Sequence, residues 1–275
     1  MAAETQPTTI MDRLWLWGMK VNALQAGGEF KVDSFKNSTL TVEQAIQLTG
    51  IRNIYMAGGL EIDARTLADI PSAKRIVCKW ALHRSQDGKS VLDTDACFSR
   101  LSAAKELAKK DTRIEGVHID DFSTGSMDAG AKPEHVAQMQ FLNATAQPLL
   151  PLYGTFYTMT MQREGIAEMM RYFDVLILPL WHYSELETLE QRFDRSDELS
   201  GGKPILLALY VYDWGNHKQI TRDEMAVQLD FARKMIKSQR VTGLLVCGTC
   251  MLDIGWESSD YYCEWIKRVG DEVIG

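Results

Sequence analysis

The sequence predicts one α/β domain over residues 1–275, a closed (β/α)8 barrel of the TIM type, with residues 1–10 as a flexible or extended N-terminal segment. Short apolar runs rich in β-forming residues recur eight times, and segments with helical periodicity separate most of them, which is typical of parallel strands joined by helices. The length is close to the roughly 250 residues of one such barrel, and no Pro/Gly/Ser-rich linker divides the chain. The predicted strands are 14–17, 51–56, 75–82, 114–119, 149–157, 175–180, 205–212 and 241–247.

Local signals indicate where several helices begin. Thr41 and Gln44 have the spacing of a capping box, as do Thr221 and Glu224, and Pro133 suits the first turn of a helix. Apolar residues at spacings of three and four predict helices at 97–107, 166–172, 185–193 and 225–236. These helices are expected to cover the outside of the barrel.

Composition excludes several classes of partner. The chain has 30 basic and 37 acidic residues and a net charge of −7, which argues against a nucleic-acid partner. No apolar run approaches the ~18 residues that span a membrane. Residues 1–9 lack the charged and apolar regions of a signal peptide. A methionine added to a processed secreted or periplasmic chain would look the same, so the compartment stays open.

No motif predicts a cofactor or a resident metal ion. No G-x-G-x-x-G sequence follows the first predicted strand, and the two glycines within residues 56–59 are too weak a signal for a dinucleotide site. Five cysteines occur, of which Cys247 and Cys250 have C-x-x-C spacing. A zinc site would require a second pair or nearby histidines, so we interpret both residues as packed thiols.

The fourth predicted strand, Ile114–Ile119, is followed by two adjacent carboxylates, Asp120 and Asp121. In a barrel the active site lies at the C-terminal ends of the strands, where rigid elements present acids to a substrate. Because side chains alternate along a strand, His118 is expected inside the barrel, with Asp120 above it near the mouth and Asp121 at the start of the loop. The alternatives are aspartates that only cap a turn and a histidine that only fills the core.

Large aromatic residues are expected at the same mouth. They close the first, fifth, sixth and seventh predicted strands and are Trp17, Tyr157, Trp181 and Trp214. Flat amphipathic rings stack on the apolar face of a sugar, so we interpret these residues as substrate-binding. His182 is expected to bind substrate hydroxyls or to relay protons. The alternative for any one ring is that it only braces a loop.

Glycosidic hydrolysis usually requires two acids across the bond that is cleaved. Neighbours in sequence need not straddle that bond, so we expect an opposing acid, Asp213 after the seventh strand, with Glu185 as its competitor. Glu185 also suits the first turn of a helix, where the dipole stabilises an acid. Lys79, late in the third strand, is expected at the substrate site, where it would pair with one of the two adjacent aspartates and lower its pKa.

The segment 116–122, Gly-Val-His-Ile-Asp-Asp-Phe, resembles the fourth-strand motif of barrel glycoside hydrolases. In chitinase-type barrels this strand carries alternating aspartates and ends in a catalytic glutamate. Here His118 stands at an aspartate position and Phe122 at the glutamate position. The segment is more similar to spherulin-4-like and polygalactosaminidase-like barrels, in which a Gly-x-x-x-Asp-[Asp/Glu] strand end supplies active-site acids. That resemblance implies catalytic roles for Asp120 and Asp121.

These patterns predict a glycosidase that cleaves an O-glycosidic bond in an oligo- or polysaccharide, with one acid as proton donor and the other as nucleophile or base. Two alternatives stay open at this stage. One is a metal-dependent barrel isomerase or aldolase, for which Asp120, Asp121, His118 and His182 offer oxygen and nitrogen ligands. The other is a barrel that binds glycans without cleaving them.

Overall fold

The computed structural model describes residues 8–21, 37–80, 83–86, 89–180 and 182–274. Eight parallel strands close into a barrel, which confirms the predicted fold class. In chain order the strands are β1 (Leu14–Gly18), β2 (Asn53–Met56), β3 (Arg75–Lys79), β4 (His83–Gln86), β5 (Lys89–Leu92), β6 (Ile114–Ile119), β7 (Leu152–Thr155), β8 (Val175–Pro179), β9 (Ile205–Tyr210), β10 (Tyr212–Asp213), β11 (Lys218–Gln219) and β12 (Gly243–Cys247). The barrel runs β1-β2-β3-β6-β7-β8-β9-β12, and β12 pairs back onto β1.

A helix follows each barrel strand and covers its outer face. The helices are α1 (Ile10–Arg13), α2 (Val42–Thr49), α3 (Ala64–Ala68), α4 (Thr94–Ala108), α5 (Pro133–Thr145), α6 (Ile166–Met170), α7 (Leu189–Ser200), α8 (Arg222–Lys237) and α9 (Glu257–Val269). Both predicted capping boxes are present, since the Thr41 and Thr221 hydroxyls accept from the backbone N–H groups of Gln44 and Glu224. Pro133 is the first residue of α5, as predicted.

Two antiparallel hairpins, which the periodicity did not predict, stand in loops at the C-terminal ends of the strands. β4 pairs with β5 after β3, and β10 pairs with β11 after β9. The predicted strand 205–212 therefore divides, because β9 ends at Tyr210 and Tyr212 pairs instead with Gln219. The β4–β5 hairpin lies beside the single π-helical turn Phe122–Ser126 that follows β6, so it forms a wall at the mouth.

Aromatic rings fill the barrel interior directly below the mouth. The Trp17 ring stacks on Tyr210 with centroids 5.9 Å apart and meets the edge of Tyr55 at 5.7 Å. Tyr55 in turn stacks on His118 at 3.6 Å, which puts His118 inside the barrel as the strand alternation predicted. These four side chains come from β1, β9, β2 and β6, and all four are buried.

The two ends of the described chain meet at the N-terminal face of the barrel. Thr9 forms an isolated bridge with Val273, and Ile10 begins α1. Residues 1–7 of the predicted N-terminal segment lie outside the described residues. Within the described ranges, no helix has the length and apolar character needed to cross a lipid bilayer.

Candidate active site

Asp120 and Asp121 follow β6 at the C-terminal mouth of the barrel. In an extended chain, consecutive side chains point to opposite faces. Asp121 instead adopts φ 49° and ψ 38°, a left-handed conformation that aspartate tolerates better than most residues. As a result, both neighbouring carboxylates line the same cleft.

The cleft has a volume of ≈ 330 Å³, within the usual range for small-molecule sites. It lies above β2, β3 and β6, to one side of the barrel axis. Its walls are the loop 59–62 after β2, Lys79 at the end of β3, Arg84 from the β4–β5 hairpin, and Arg100 with Ala103 from α4. The cleft is therefore built by the second, third and fourth βα units of the barrel.

Asp120 forms an ion pair with the predicted lysine. Lys79 Nζ lies 3.3 Å from Asp120 Oδ2, and the two side chains are 33% and 17% exposed. The ammonium group and this carboxylate are thus a partly exposed pair of opposite charges. Asp120 Oδ1 is buried and has no hydrogen-bond partner among the described residues. One oxygen of Asp120 is thus held by Lys79, while the other has no donor in the described part of the chain.

Asp121 lies in a different environment from its neighbour. The Tyr157 hydroxyl donates a hydrogen bond to Asp121 Oδ1. Burial and the adjacent Asp120 carboxylate raise the pKa of Asp121 to about 6, against the smaller opposite effects of Tyr157 and Lys79. Asp121 therefore keeps its proton in mildly acidic solution, as a general acid must.

His118 lies beneath the two carboxylates as a neutral core ring. Its Nε2 donates to the Met56 carbonyl, so Nε2 carries the proton, and its Nδ1 has no partner among the described residues. Burial lowers the pKa of His118 to about 3. The imidazole is therefore uncharged at neutral pH, and it supports the floor of the site without supplying a proton.

Three of the four predicted aromatic residues are among the described residues, and all three are buried. Trp17 is 3% exposed inside the barrel, and Trp214 is 6% exposed with its ring edge-on to Tyr210. Tyr157 is buried and uses its hydroxyl to bind a carboxylate. Trp181 lies outside the described residues. Burial of large ring area stabilises the barrel interior, and the role of these rings in sugar stacking stays a prediction.

Asp213 is held in the loop after β9. Its Oδ2 accepts from the Tyr183 N–H at 3.1 Å and from Asn216 Nδ2 at 2.8 Å, and its Oδ1 accepts from the Asn216 N–H at 3.0 Å. These bonds tie the loop after β8 to the hairpin after β9. Asp213 does not line the cleft that contains the two adjacent aspartates.

The competing acid and the predicted histidine belong to the loop after β8. Glu185 is buried, accepts a hydrogen bond from the Thr158 hydroxyl at 3.0 Å and forms an ion pair with Arg192 at 3.3 Å. The His182 ring packs on Gly215 and occupies the space that a Cβ at that position would need. Neither residue lines the cleft. Lys79 therefore shares the cleft with the two aspartates, whereas Asp213, Glu185 and His182 lie outside it.

Two cleft residues carried no signal in the sequence. Arg84 reaches the cleft because the β4–β5 hairpin folds over the mouth, and Arg100 because α4 turns one face toward it. Both positions depend on tertiary packing, which hydrophobic periodicity does not encode. Tyr55 ends a strand in the same way as Trp17, and the alternation rule applied to β2 would have placed it inside the barrel.

No group of three or more His, Cys, Asp or Glu side chains is arranged to hold a metal ion among the described residues. The two aspartates and His118 are close in sequence, yet the histidine is turned into the core, with Nε2 bound to the Met56 carbonyl. The metal-dependent alternative therefore gains no ligand set from this part of the chain. Cys250 is a buried free thiol beside Met19, which agrees with its interpretation as a packed residue.

Comparison with solved structures shows which known proteins have a similar fold, which periodicity alone did not. The chain superposes on a family 18 chitinase from Crocus vernus with a TM-score of 0.55 and 11% identity, covering 93% of this chain and 98% of that one. A glycoside hydrolase family 5 enzyme from Prevotella bryantii B14 gives 0.53 and 13%, covering 96% and 99%. The fold is that of the barrel glycoside hydrolases.

A third glycoside hydrolase barrel extends this likeness. The glycoside hydrolase domain of PgaB from Bordetella bronchiseptica matches with a TM-score of 0.50 and 9% identity, covering 84% of this chain and 92% of that one. No family model matches the sequence, and no curated protein matches it either. The likeness at these identities concerns the fold, and the chemistry has to be argued from the site.

Proposed function

We propose that this glycoside hydrolase-like barrel is an active glycosidase that cleaves an O-glycosidic bond in an oligo- or polysaccharide at the cleft lined by Asp120 and Asp121. The observation that carries the proposal is the contrast between these two neighbours. Asp120 is paired with Lys79, whereas Asp121 is half-buried, accepts a hydrogen bond from the Tyr157 hydroxyl and has a pKa raised to about 6. Two carboxyl groups in contrasting environments are what acid and base roles at one site require.

The proposed mechanism divides the chemistry between the pair. Asp121 protonates the glycosidic oxygen as the bond to the leaving group breaks. Asp120 carries the negative charge that stabilises the oxocarbenium-like transition state, and it acts as nucleophile or as the base for water. Lys79 keeps that charge in place, and Tyr157 fixes the orientation of the proton donor.

The remaining predicted residues enter this proposal as hypotheses. Asp213 stays the predicted opposing acid, although its three hydrogen bonds within the loops lead us to put the proton donor on Asp121. Trp17, Trp214, Trp181 and His182 stay predicted substrate contacts. Substitution of Asp213 by Asn tests its role directly, because Asn keeps the size of the side chain and removes the charge.

The experiment measures the release of reducing ends from a panel of soluble polysaccharides between pH 4 and pH 8. The Asp120→Asn and Asp121→Asn variants are each expected to lose at least about a hundredfold in kcat on any glycan that the wild type cleaves. Asn suits both positions, since it keeps the shape of the side chain and tolerates the left-handed backbone at 121. Activity of the wild type is expected to fall as the pH rises above about 6, when Asp121 loses its proton.

The matched control is Asp271→Asn, which removes an exposed carboxylate near the N-terminal face of the barrel. It is expected to keep wild-type activity. The proposal is wrong if the double variant Asp120→Asn/Asp121→Asn cleaves at the wild-type rate. It is also wrong if the wild type binds a glycan of the panel and cleaves none, which would indicate a binding barrel.

A further inference from the structure

The cleft is lined by as many basic as acidic side chains, in a chain whose net charge is −7. Three cations line it: Lys79, Arg84 and Arg100. Two of them have carboxylate partners, since Lys79 pairs with Asp120 at 3.3 Å and Arg84 Nε lies 3.2 Å from Asp93 Oδ2. Asp93 is itself held as the N-cap of α4, where its Oδ1 accepts from a backbone N–H. Arg100 is the third cation of the wall.

Arg100 has no ion pair and no hydrogen bond within the described part of the chain. It lies in α4 one turn before Ala103, which lines the same cleft, so this face of the helix forms the wall. Glu61 stands on the loop after β2 and is exposed, and it forms no ion pair with Arg100. Arg100 is exposed on the helix beside the proposed acids, and its guanidinium group has no partner of opposite charge among the residues that the structure describes.

We propose that the cleft binds a sugar that carries an anionic group, a carboxylate or a sulfate, and that Arg100 is the residue that binds it. The inference rests on the proposed function and names its substrate class as acidic glycans. A guanidinium presents parallel N–H donors that match both oxyanions in a bidentate manner. Arg84 stands on the same wall, and its ion pair with Asp93 fixes it as a second positive charge near the sugar.

The experiment uses matched sets of oligosaccharides: uronic-acid oligomers, their carboxyl-reduced neutral forms, and sulfated derivatives of those neutral forms. For each set we would measure kcat/KM with the wild type and Kd with the inactive Asp120→Asn/Asp121→Asn variant. The wild type is expected to prefer an acidic set over its neutral form by at least about tenfold. Comparison of the uronic and sulfated sets identifies which oxyanion the site takes.

Arg100→Gln is expected to lower kcat/KM and affinity for the preferred acidic set about ten- to a hundredfold, and to change those for the neutral set less than about twofold. Arg100→Lys is expected to recover part of the loss, because it restores charge without the fork of donors. The control Arg171→Gln removes the same charge from an exposed arginine between α6 and β8, away from the cleft, and is expected to behave as wild type.

Each outcome decides the inference separately from the proposed function. The inference is overturned if the wild type cleaves the neutral sets as well as or better than the acidic ones. It is also overturned if the Arg100→Gln variant keeps the preference for acidic sets. In both cases, the observed hydrolysis still supports the proposed function. Binding of acidic sets that depends on Arg100 without any cleavage by the wild type upholds the inference and overturns the proposed function. No binding of any acidic set overturns the inference.

Discussion

Burial and the hydroxyl of Tyr157 act in opposite directions on the pKa of Asp121 at the mouth of this barrel, and burial has the larger effect. Thirty-six residues separate the two side chains in sequence, and the fold brings the hydroxyl onto Asp121 Oδ1. Burial acts in the opposite direction, because it penalises the charged carboxylate. Tyr157 therefore affects the pKa of the acid that it binds, in addition to forming part of the barrel wall.

Replacement of Tyr157 by Phe removes the side-chain hydrogen bond that favours the charged form of Asp121. The pKa of Asp121 is then expected to rise above about 6, so the alkaline limb of kcat/KM moves to higher pH. The maximal kcat is expected to fall about tenfold, since the proton donor loses its orientation. Rates between pH 4 and pH 9 measure both effects.

The control for this variant is Tyr183→Phe. Tyr183 also donates its hydroxyl to an oxygen atom, the Glu224 carbonyl, at a distance from the acid pair. Its removal costs a hydrogen bond of the same kind and is expected to leave the alkaline limb in place. An unchanged limb in Tyr157→Phe, or one that moves to lower pH, would contradict the role given to Tyr157.

At the scale of the elements, contacts between neighbouring helices hold the wall of the cleft in place. Lys105 of α4 is 4% exposed, and its ammonium group donates to the carbonyls of Asn143, Ala146 and Pro148 at the end of α5. These carbonyls follow the last turn of a helix, where backbone acceptors lack partners and a cation is favourable. One side chain thus joins α4, which carries Arg100, to the C-terminus of α5.

Lys105→Met keeps the length and apolar stem of the side chain and removes the ammonium group. It leaves three acceptors without their donor in a site closed to water, so the free energy of unfolding is expected to fall by about 2–4 kcal/mol. Unfolding in guanidinium chloride measures the change. Lys109→Met is the matched control, because Lys109 is half-exposed and pairs only with Glu106 one turn away, and it is expected to change stability by less than about 0.5 kcal/mol. An equal effect of the two substitutions would show that the ammonium group of Lys105 contributes no more to stability than that of Lys109.

For the whole molecule, the groups buried at the barrel mouth give stability a dependence on pH. The folded pKa of Asp121 is about 6, above the value of 3.8 for a free side chain. The folded state therefore binds this proton more tightly, and the stabilisation is complete below about pH 4 and is lost as the pH rises through about 6. His118 acts in the opposite sense, since its folded pKa of about 3 lies below 6.5 and its contribution is lost as the pH falls from about 6.5.

Asp121→Asn removes the first of these two dependences and keeps the second. The variant is expected to be more stable than the wild type by about 1–3 kcal/mol at pH 8, and the difference is expected to vanish near pH 4. Denaturant unfolding at pH 4, 6 and 8 measures it, with Asp271→Asn as a control whose difference from wild type stays constant. A variant that is less stable at pH 8 would show that Asp121 is not strained by burial in its charged form.

Coincident transitions by fluorescence and circular dichroism in the same experiments test the predicted single domain over residues 1–275.

The two aspartates and the lysine beside them were predicted from the sequence, but the contacts that surround these residues were not. Asp120, Asp121 and Lys79 were predictable because strand ends of a parallel barrel converge at one face, whatever the packing. The hydrogen bonds that hold Asp213 were not, because they depend on the β10–β11 hairpin and on a loop thirty residues away. The substrate-binding role of Trp17 stays a prediction, and the packing of its ring against Tyr55 and Tyr210 was not predicted.

The amino-acid sequence by itself determined the eight strands, the starts of the capped helices and the two carboxylates that end the fourth strand. These features follow from local periodicity, capping and chain direction, which act over a few residues. Only the tertiary structure decided that Tyr157 binds Asp121, that aromatic faces are buried, and that Arg100 stands beside the two aspartates with no ion pair to any of the described residues. Protonation and charge at the mouth depend on distances between segments far apart in the chain, and those distances exist only once the barrel has closed.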